Sequence, residues 1–230
     1  MTQIHIGLLA FPAMTQLDMT GPLQVFSAVP GATMHVIWKA LEPIQTQGGL
    51  RLIPDTTTAD CPKLDVICVP GGPGVLDLME DPEILAFLRT QAETARFVGS
   101  ICTGALVLGA AGLLRGKQAT THWAWTDLLV PLGAIPTPGR VVRDGNTFTG
   151  GGVTAGIDFA LTMVSELAGQ DVAEHIQLGI EYAPAPPFNA GHPDTARPEL
   201  VAAARDRMTA LRNEREARVA KVAARMPHER

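Results

Sequence analysis

Short apolar runs rich in β-branched residues alternate along this chain with longer stretches of helical periodicity. That alternation restricts the fold more than any other feature. Residues 4–11, 34–39, 65–69 and 96–101 read as strands. The third is apolar without a break, the pattern of a strand buried on both faces. Thr20-Gly21-Pro22 opens a helix through about residue 28, and residues 82–94 are amphipathic with Ile84, Leu85 and Leu88 on one face. Residues 103–114 and 153–167 also read as helices, the latter with Val153, Ile157, Leu161 and Val164 at helical spacing. Residues 118–121, 140–143 and 147–149 are short strands, and Asp144-Gly145 between the last two marks a hairpin turn. Strand–helix alternation of this kind predicts a three-layer αβα sandwich, an α/β fold with a mostly parallel sheet covered on both faces. Reactive groups in such folds sit at the carboxyl ends of the strands. A hydrophobic content of 46% with 23 Gly and 18 Pro allows the large core and many turns this requires.

Two segments are expected: residues 1–182 as one α/β domain, and residues 183–230 as a Pro-rich stretch followed by a long helix. That helix carries Leu200, Ala204, Met208 and Leu211 on one stripe, with Arg and Glu alternating on its other faces. One amphipathic helix buries too little to stand alone, so it is expected to pack on the domain or on a second subunit. The formal net charge of −5 argues against nucleic acid as a principal partner. The three Cys form an odd, well-separated set that reads as reduced thiol rather than a disulfide framework. Residues 1–6 lack the positive run of a signal peptide, and the apolar run after them breaks at Pro12, short of the roughly 20 residues that span a bilayer. A cytoplasmic protein with no membrane partner is the expectation. No His, Cys or carboxylate cluster has metal-ligand spacing, so no metal is expected.

The strongest local signal is Phe97-Val98-Gly99-Ser100-Ile101-Cys102-Thr103-Gly104-Ala105. An apolar strand ends, a cysteine stands at the corner, and small residues open a helix at once. A nucleophile elbow needs small neighbours because the sharp turn brings backbones close together. A helix N-terminus offers free N–H groups and a positive dipole end, which are expected to lower the Cys102 thiol pKa. The alternative, a small buried hydrophobe, fits Cys61 and Cys68, which lack this context.

Other groups converge on the same corner. Val69-Pro70-Gly71-Gly72 follows the third strand, where the pair Gly71-Gly72 lets a backbone N–H point toward the elbow, so that the N–H groups of Gly72 and Thr103 together face a reacting atom. An ordinary tight turn is the other reading of that pair. Asp18 follows the first strand and is either a helix cap or, with Thr20 as the better-placed cap, a carboxyl group free to exchange a proton with the thiol. His122, in Thr120-Thr121-His122-Trp123, is either a partner for the cysteine or structural. Gly150 and Gly152, in the triplet before residue 153, either cradle a phosphate or permit close packing beside the site; the spacing matches neither standard nucleotide fingerprint.

Taken together, Leu17-Asp18-Met19-Thr20-Gly21-Pro22, Val69-Pro70-Gly71-Gly72, the Ser100–Ala105 elbow and Ala119-Thr120-Thr121-His122-Trp123 resemble the ThiJ/PfpI superfamily. The resemblance covers residues from about 4 to 180 and implies a flavodoxin-like sheet related to that of class I glutamine amidotransferases. Within the superfamily, the Cys-Thr-Gly elbow with Asp at position 18 looks most like the members that hydrate isonitriles. So does the tail from Leu178 to Gly191. This implies a small-molecule isonitrile substrate, no cofactor, a homodimer, and Cys102, Asp18 and Thr103 as active-site residues. Protease-like members have His directly after the Cys, where this chain has Thr103. A glyoxalase- or amidase-like reaction on a carbonyl would use the same elbow. A ligand-sensing domain of the kind fused to helix-turn-helix regions is a third reading. It is disfavoured because only about 50 residues follow Ile180, too few for a DNA-binding domain. An oxidation-sensing role for the thiol stays open.

Overall fold

Every other residue of a strand faces the same way, so a strand between two helical layers must be apolar throughout. β6 (Val66–Val69) meets that requirement with four buried residues in succession. The computed structural model describes residues 3–226; residues 1–2 and 227–230, the outer ends of the two expected segments, lie outside the described residues. In chain order, β1 (Ile4–Leu9), α1 (Gln16–Phe26) and β2 (Ala32–Trp38) lead to a small hairpin of β3 (Ile44–Gln45) and β4 (Arg51–Leu52). Then come β5 (Thr56–Thr57), β6, α2 (Val75–Leu78), α3 (Pro82–Ala92), β7 (Phe97–Ile101) and α4 (Gly104–Ala110). A second half holds β8 (Gln118–Ala119), a 3₁₀ segment Trp123–Leu132, β9 (Ile135–Pro136), β10 (Val141–Asp144) and β11 (Thr147–Gly150). The helices α5 (Ala155–Ala168), α6 (Gln170–Gly179) and α7 (Pro198–Ala223) close the chain.

Seven strands form the main sheet in the order β10-β11-β7-β6-β1-β2-β5. All its pairs are parallel except the β10–β11 hairpin. One helical layer is built on α1, α5 and α6, and the other on α2, α3, α4 and α7, which gives the three-layer sandwich. From β1 the chain runs outward to β2 and then returns to β6 on the opposite side. The reversal lies between β1 and β6, and a crevice opens at the carboxyl ends of strands where such a switch occurs. Asp18 follows β1, Gly71 and Gly72 follow β6, and Cys102 follows β7, so all four are delivered to that end.

Several elements differ from the periodicity. Helix α1 starts at Gln16, ahead of the predicted opening at Thr20, and Pro22 lies inside it. Pro is tolerated as a first-turn residue, which is why Pro22 predicts a helix start; here tertiary packing of α1 on α5 keeps the helix going around it. Thr20 is therefore no cap: its hydroxyl donates to Gln16 Oε1 at 2.9 Å. Asp81, ahead of Pro82, is a true cap, accepting from the N–H groups of Glu83 and Ile84. The short elements α2, β3, β4, β5 and β9 carry too few residues to show a period.

On α7 the buried residues are Arg215, Val219 and Val222. Of the predicted stripe, Leu200 is 40% exposed, whereas Met208 and Leu211 pack partly against the core. The helix rests on α4 and the 3₁₀ segment of its own chain. Glu80 holds it at the far end, accepting from Arg218 Nη1 at 2.9 Å and pairing with Lys221. Among the described residues no helix is long and apolar enough to cross a membrane.

Candidate active site

The elbow is strained as its sequence demands. Cys102 has φ of 53°, a left-handed conformation rare for a residue with a side chain. Its N–H is shared between the carbonyls of Gly150 at 3.0 Å and Gly151 at 2.8 Å. Thr121 donates its hydroxyl to the Cys102 carbonyl at 2.7 Å. Two separate chain segments thus over-determine one residue. Gly104 is needed next to it, because a Cβ there would stand 2.1 Å from the Val69 carbonyl oxygen.

Asp18, in the first turn of α1, is fully buried. Its Oδ2 accepts from the Gly71 N–H at 2.9 Å, while Oδ1 has no hydrogen-bond partner among the described residues. Thr103 caps the turn into α4, and its Oγ1 accepts from the Gly72 N–H at 3.0 Å. The two glycine N–H groups are therefore occupied by Asp18 and Thr103. This corrects the expectation that Gly71 and Gly72 offer free donors to a reacting atom: they brace the side chains that flank it. A Cβ at Gly71 would lie 2.6 Å from the Thr103 nitrogen and 2.9 Å from Asp18 Oδ2, so only glycine lets the three segments meet.

The electrostatics differ from the simple helix-dipole argument. Burial raises the Asp18 carboxyl to about 7, against the lowering effect of the Gly71 hydrogen bond and of the Cys102 thiol beside it. The Cys102 thiol is pushed up to about 12, first by burial and then by the charge of Asp18. The Thr103 N–H and the Arg215 guanidinium pull it down but do not prevail. The predicted lowering at the helix N-terminus is overridden because α4 is only seven residues long and the sulfur is cut off from water. Two such groups titrate as a pair: a proton leaving the thiol has the carboxylate beside it as acceptor.

Arg215 is the residue that sequence reasoning missed. It comes from α7, is 3% exposed, and lies over the Trp125 ring with its guanidinium carbon 4.2 Å from the centroid. The signal was present: Leu211, Arg215, Val219 and Val222 fall at helical spacing, so one cation stands in an apolar stripe. His122 does not join Cys102 by a hydrogen bond among the described residues. Its Nδ1 accepts from the Ala124 N–H at 3.3 Å, and burial with the Arg215 charge pushes the ring down to about 4. A neutral, capping imidazole results. It lines a cavity of about 600 Å³ with Trp123, Arg140, Gly152, Val153 and Phe188. Gly150 serves the site through its carbonyl, and a Cβ at Gly152 would meet the His122 ring at 3.3 Å, so close packing accounts for Gly152. Cys61, Cys68 and Cys102 are all free thiols.

Comparison with known proteins places this geometry. The DJ-1/PfpI family pattern matches residues 5–166. An isonitrile hydratase from Pseudomonas putida is 61% identical over 204 residues, which is 89% of this chain and 90% of that protein. The glutathione-independent glyoxalase DJR-1.2 of Caenorhabditis elegans is 33% identical over 132 residues, 56% of this chain and 70% of its own. A solved ThiJ/PfpI family protein from Pseudomonas syringae superposes with a TM-score of 0.89 at 44% identity, covering 97% of this chain and 91% of that one.

Proposed function

The chain belongs to the DJ-1/PfpI family, and from that membership we propose that it hydrates isonitriles, R–N≡C, to N-substituted formamides. The observation that carries the reading is a buried carboxyl oxygen, without a partner among the described residues, beside a buried thiol on a strained elbow. Likeness over nearly the whole chain to an isonitrile hydratase supports the choice of substrate.

The terminal carbon of an isonitrile accepts both a nucleophile and a proton. Ionised Asp18 takes the Sγ proton as Cys102 attacks that carbon, then delivers it to the same carbon, giving a thioimidate, R–N=CH–S–Cys. Asp18, ionised again, draws a proton from water as the water oxygen attacks. Asp18 passes that proton to the nitrogen, so the tetrahedral adduct, R–NH–CH(OH)–S–Cys, carries the hydroxyl and sulfur on one carbon. Its collapse breaks the C–S bond, returns a proton to sulfur and releases R–NH–CHO. Thr103, held by Gly72, keeps the carboxyl and sulfur in register. No cofactor enters the sequence.

A homodimer in the cytoplasm belongs to the same reading. Leu178 and Phe188, both 79% exposed, supply apolar surface for a second copy, and three free thiols suit a reducing compartment.

Incubation with cyclohexyl isocyanide tests the reaction. Formamide that forms with the parent protein and not with Cys102→Ala is the expected result. Full turnover by Cys102→Ala removes the covalent scheme. If the folded parent yields no formamide but converts a dicarbonyl to a hydroxy acid, glyoxalase-like chemistry replaces hydration.

A further inference from the structure

We propose that Arg215, carried into the site by the C-terminal helix, is the positioning residue that stabilises the negative charge of the Cys102–Asp18 pair. The inference rests on Cys102 being the attacking thiol of the reading above. Arg215 is almost wholly buried, and no carboxylate lies within ion-pair distance of it among the described residues. An isolated buried cation is costly unless an anion lies near it.

The contacts of the guanidinium locate that anion. One face covers Trp125. Nη2 reaches the Gly72 carbonyl at 3.5 Å, and Nε is buried with no partner among the described residues. Gly72 is the residue whose N–H holds Thr103, and Gly71 before it holds Asp18. Nη2 therefore fixes the cation at the backbone of the same Gly71-Gly72 turn that braces Asp18 and Thr103. Once the pair has lost one proton, its single negative charge faces a single positive one.

The charged and titratable groups that face Arg215 agree with this placement. Cys102 at the elbow is drawn down by it, and His122 ahead of the 3₁₀ segment is driven down by it. Glu214 on its own helix and Cys102 hold Arg215 in the charged form against burial. Asp18 from α1 is linked to the set through Cys102 rather than to Arg215 directly. As sulfur gives up its proton and attacks, charge builds on sulfur and passes to the isonitrile carbon; a fixed cation lowers the cost of that state. Arg215 need not touch substrate to do this.

Arg215→Met keeps the length of the side chain and removes its charge. The rate at which iodoacetamide alkylates Cys102, read by peptide mass spectrometry, should fall about tenfold at pH 8 as the thiol pKa rises by about one unit. The kcat for formamide formation should fall while KM stays near the parent value. Arg215→Lys restores the charge and should bring alkylation back to within about threefold of the parent. A folded Met variant alkylated at the parent rate overturns the proposal. Should the Met variant not fold, a folded Lys variant with a tenfold loss overturns it, and one near the parent rate upholds it. Alkylation needs no isonitrile, so failure of the substrate assignment and failure of this inference are read separately.

Discussion

At the scale of single residues, a carboxyl group sealed from water with one bare oxygen costs stability. Asp18 shows what that cost is for. Its folded value of about 7 lies above the ordinary 3.8, so the native state holds a proton that the unfolded chain has already released. Stability from this group falls as pH rises from about 4 to about 7 and is level above that. Asp18→Asn keeps an oxygen for the Gly71 N–H and cannot ionise. The variant should therefore melt at a higher temperature than the parent at pH 8, with the gap closing as pH drops to 4. Turnover should be lost at every pH. Thermal melting across that range checks the first claim, and a variant less stable at pH 8 than at pH 4 relative to the parent would refute it.

At the scale of elements, the elbow is a joint between β7 and α4 seated on the end of β6. The joint closes because residue 104 has no side chain, with its missing Cβ position 2.1 Å from the Val69 oxygen. Backbone cannot yield there as a flexible side chain would. Gly104→Ala must push α4 off the strand end, and overpacking of this kind costs about 1–3 kcal/mol. Denaturant midpoints should drop accordingly, and formamide formation should drop further than stability does, because Cys102 moves with the joint.

At the scale of the whole molecule, α7 serves both as part of the core and as part of the site. Its burial of Val219 and Val222 covers α4, and the same face inserts Arg215. A chain ending at Ala196 loses the burial of those two valines, worth about 3 kcal/mol or more, and exposes the apolar surface beneath them. It should melt well below the parent, associate at concentrations where the parent does not, and lack turnover. Calorimetry and light scattering on the truncated chain measure this; unchanged melting would show α7 to be dispensable.

The amino-acid sequence by itself determined the layers and the elbow. An unbroken apolar run at residues 66–69 can be buried only between two covers, and a cysteine between a strand and a run of small residues can form only a tight corner. Both follow from periodicity and sterics acting over a few residues. Helix α1 was legible only in part, since Pro22 read as a beginning and packing on α5 made it an interior residue. The rest was decided by the tertiary structure. Asp18 meets Gly71 across 53 positions, and Arg215 meets Gly72 across 143. The glycine N–H groups were taken up by Asp18 and Thr103, and the thiol rose where a dipole argument lowers it. Desolvation and long-range proximity arise only when the chain is folded, and no local pattern carries them.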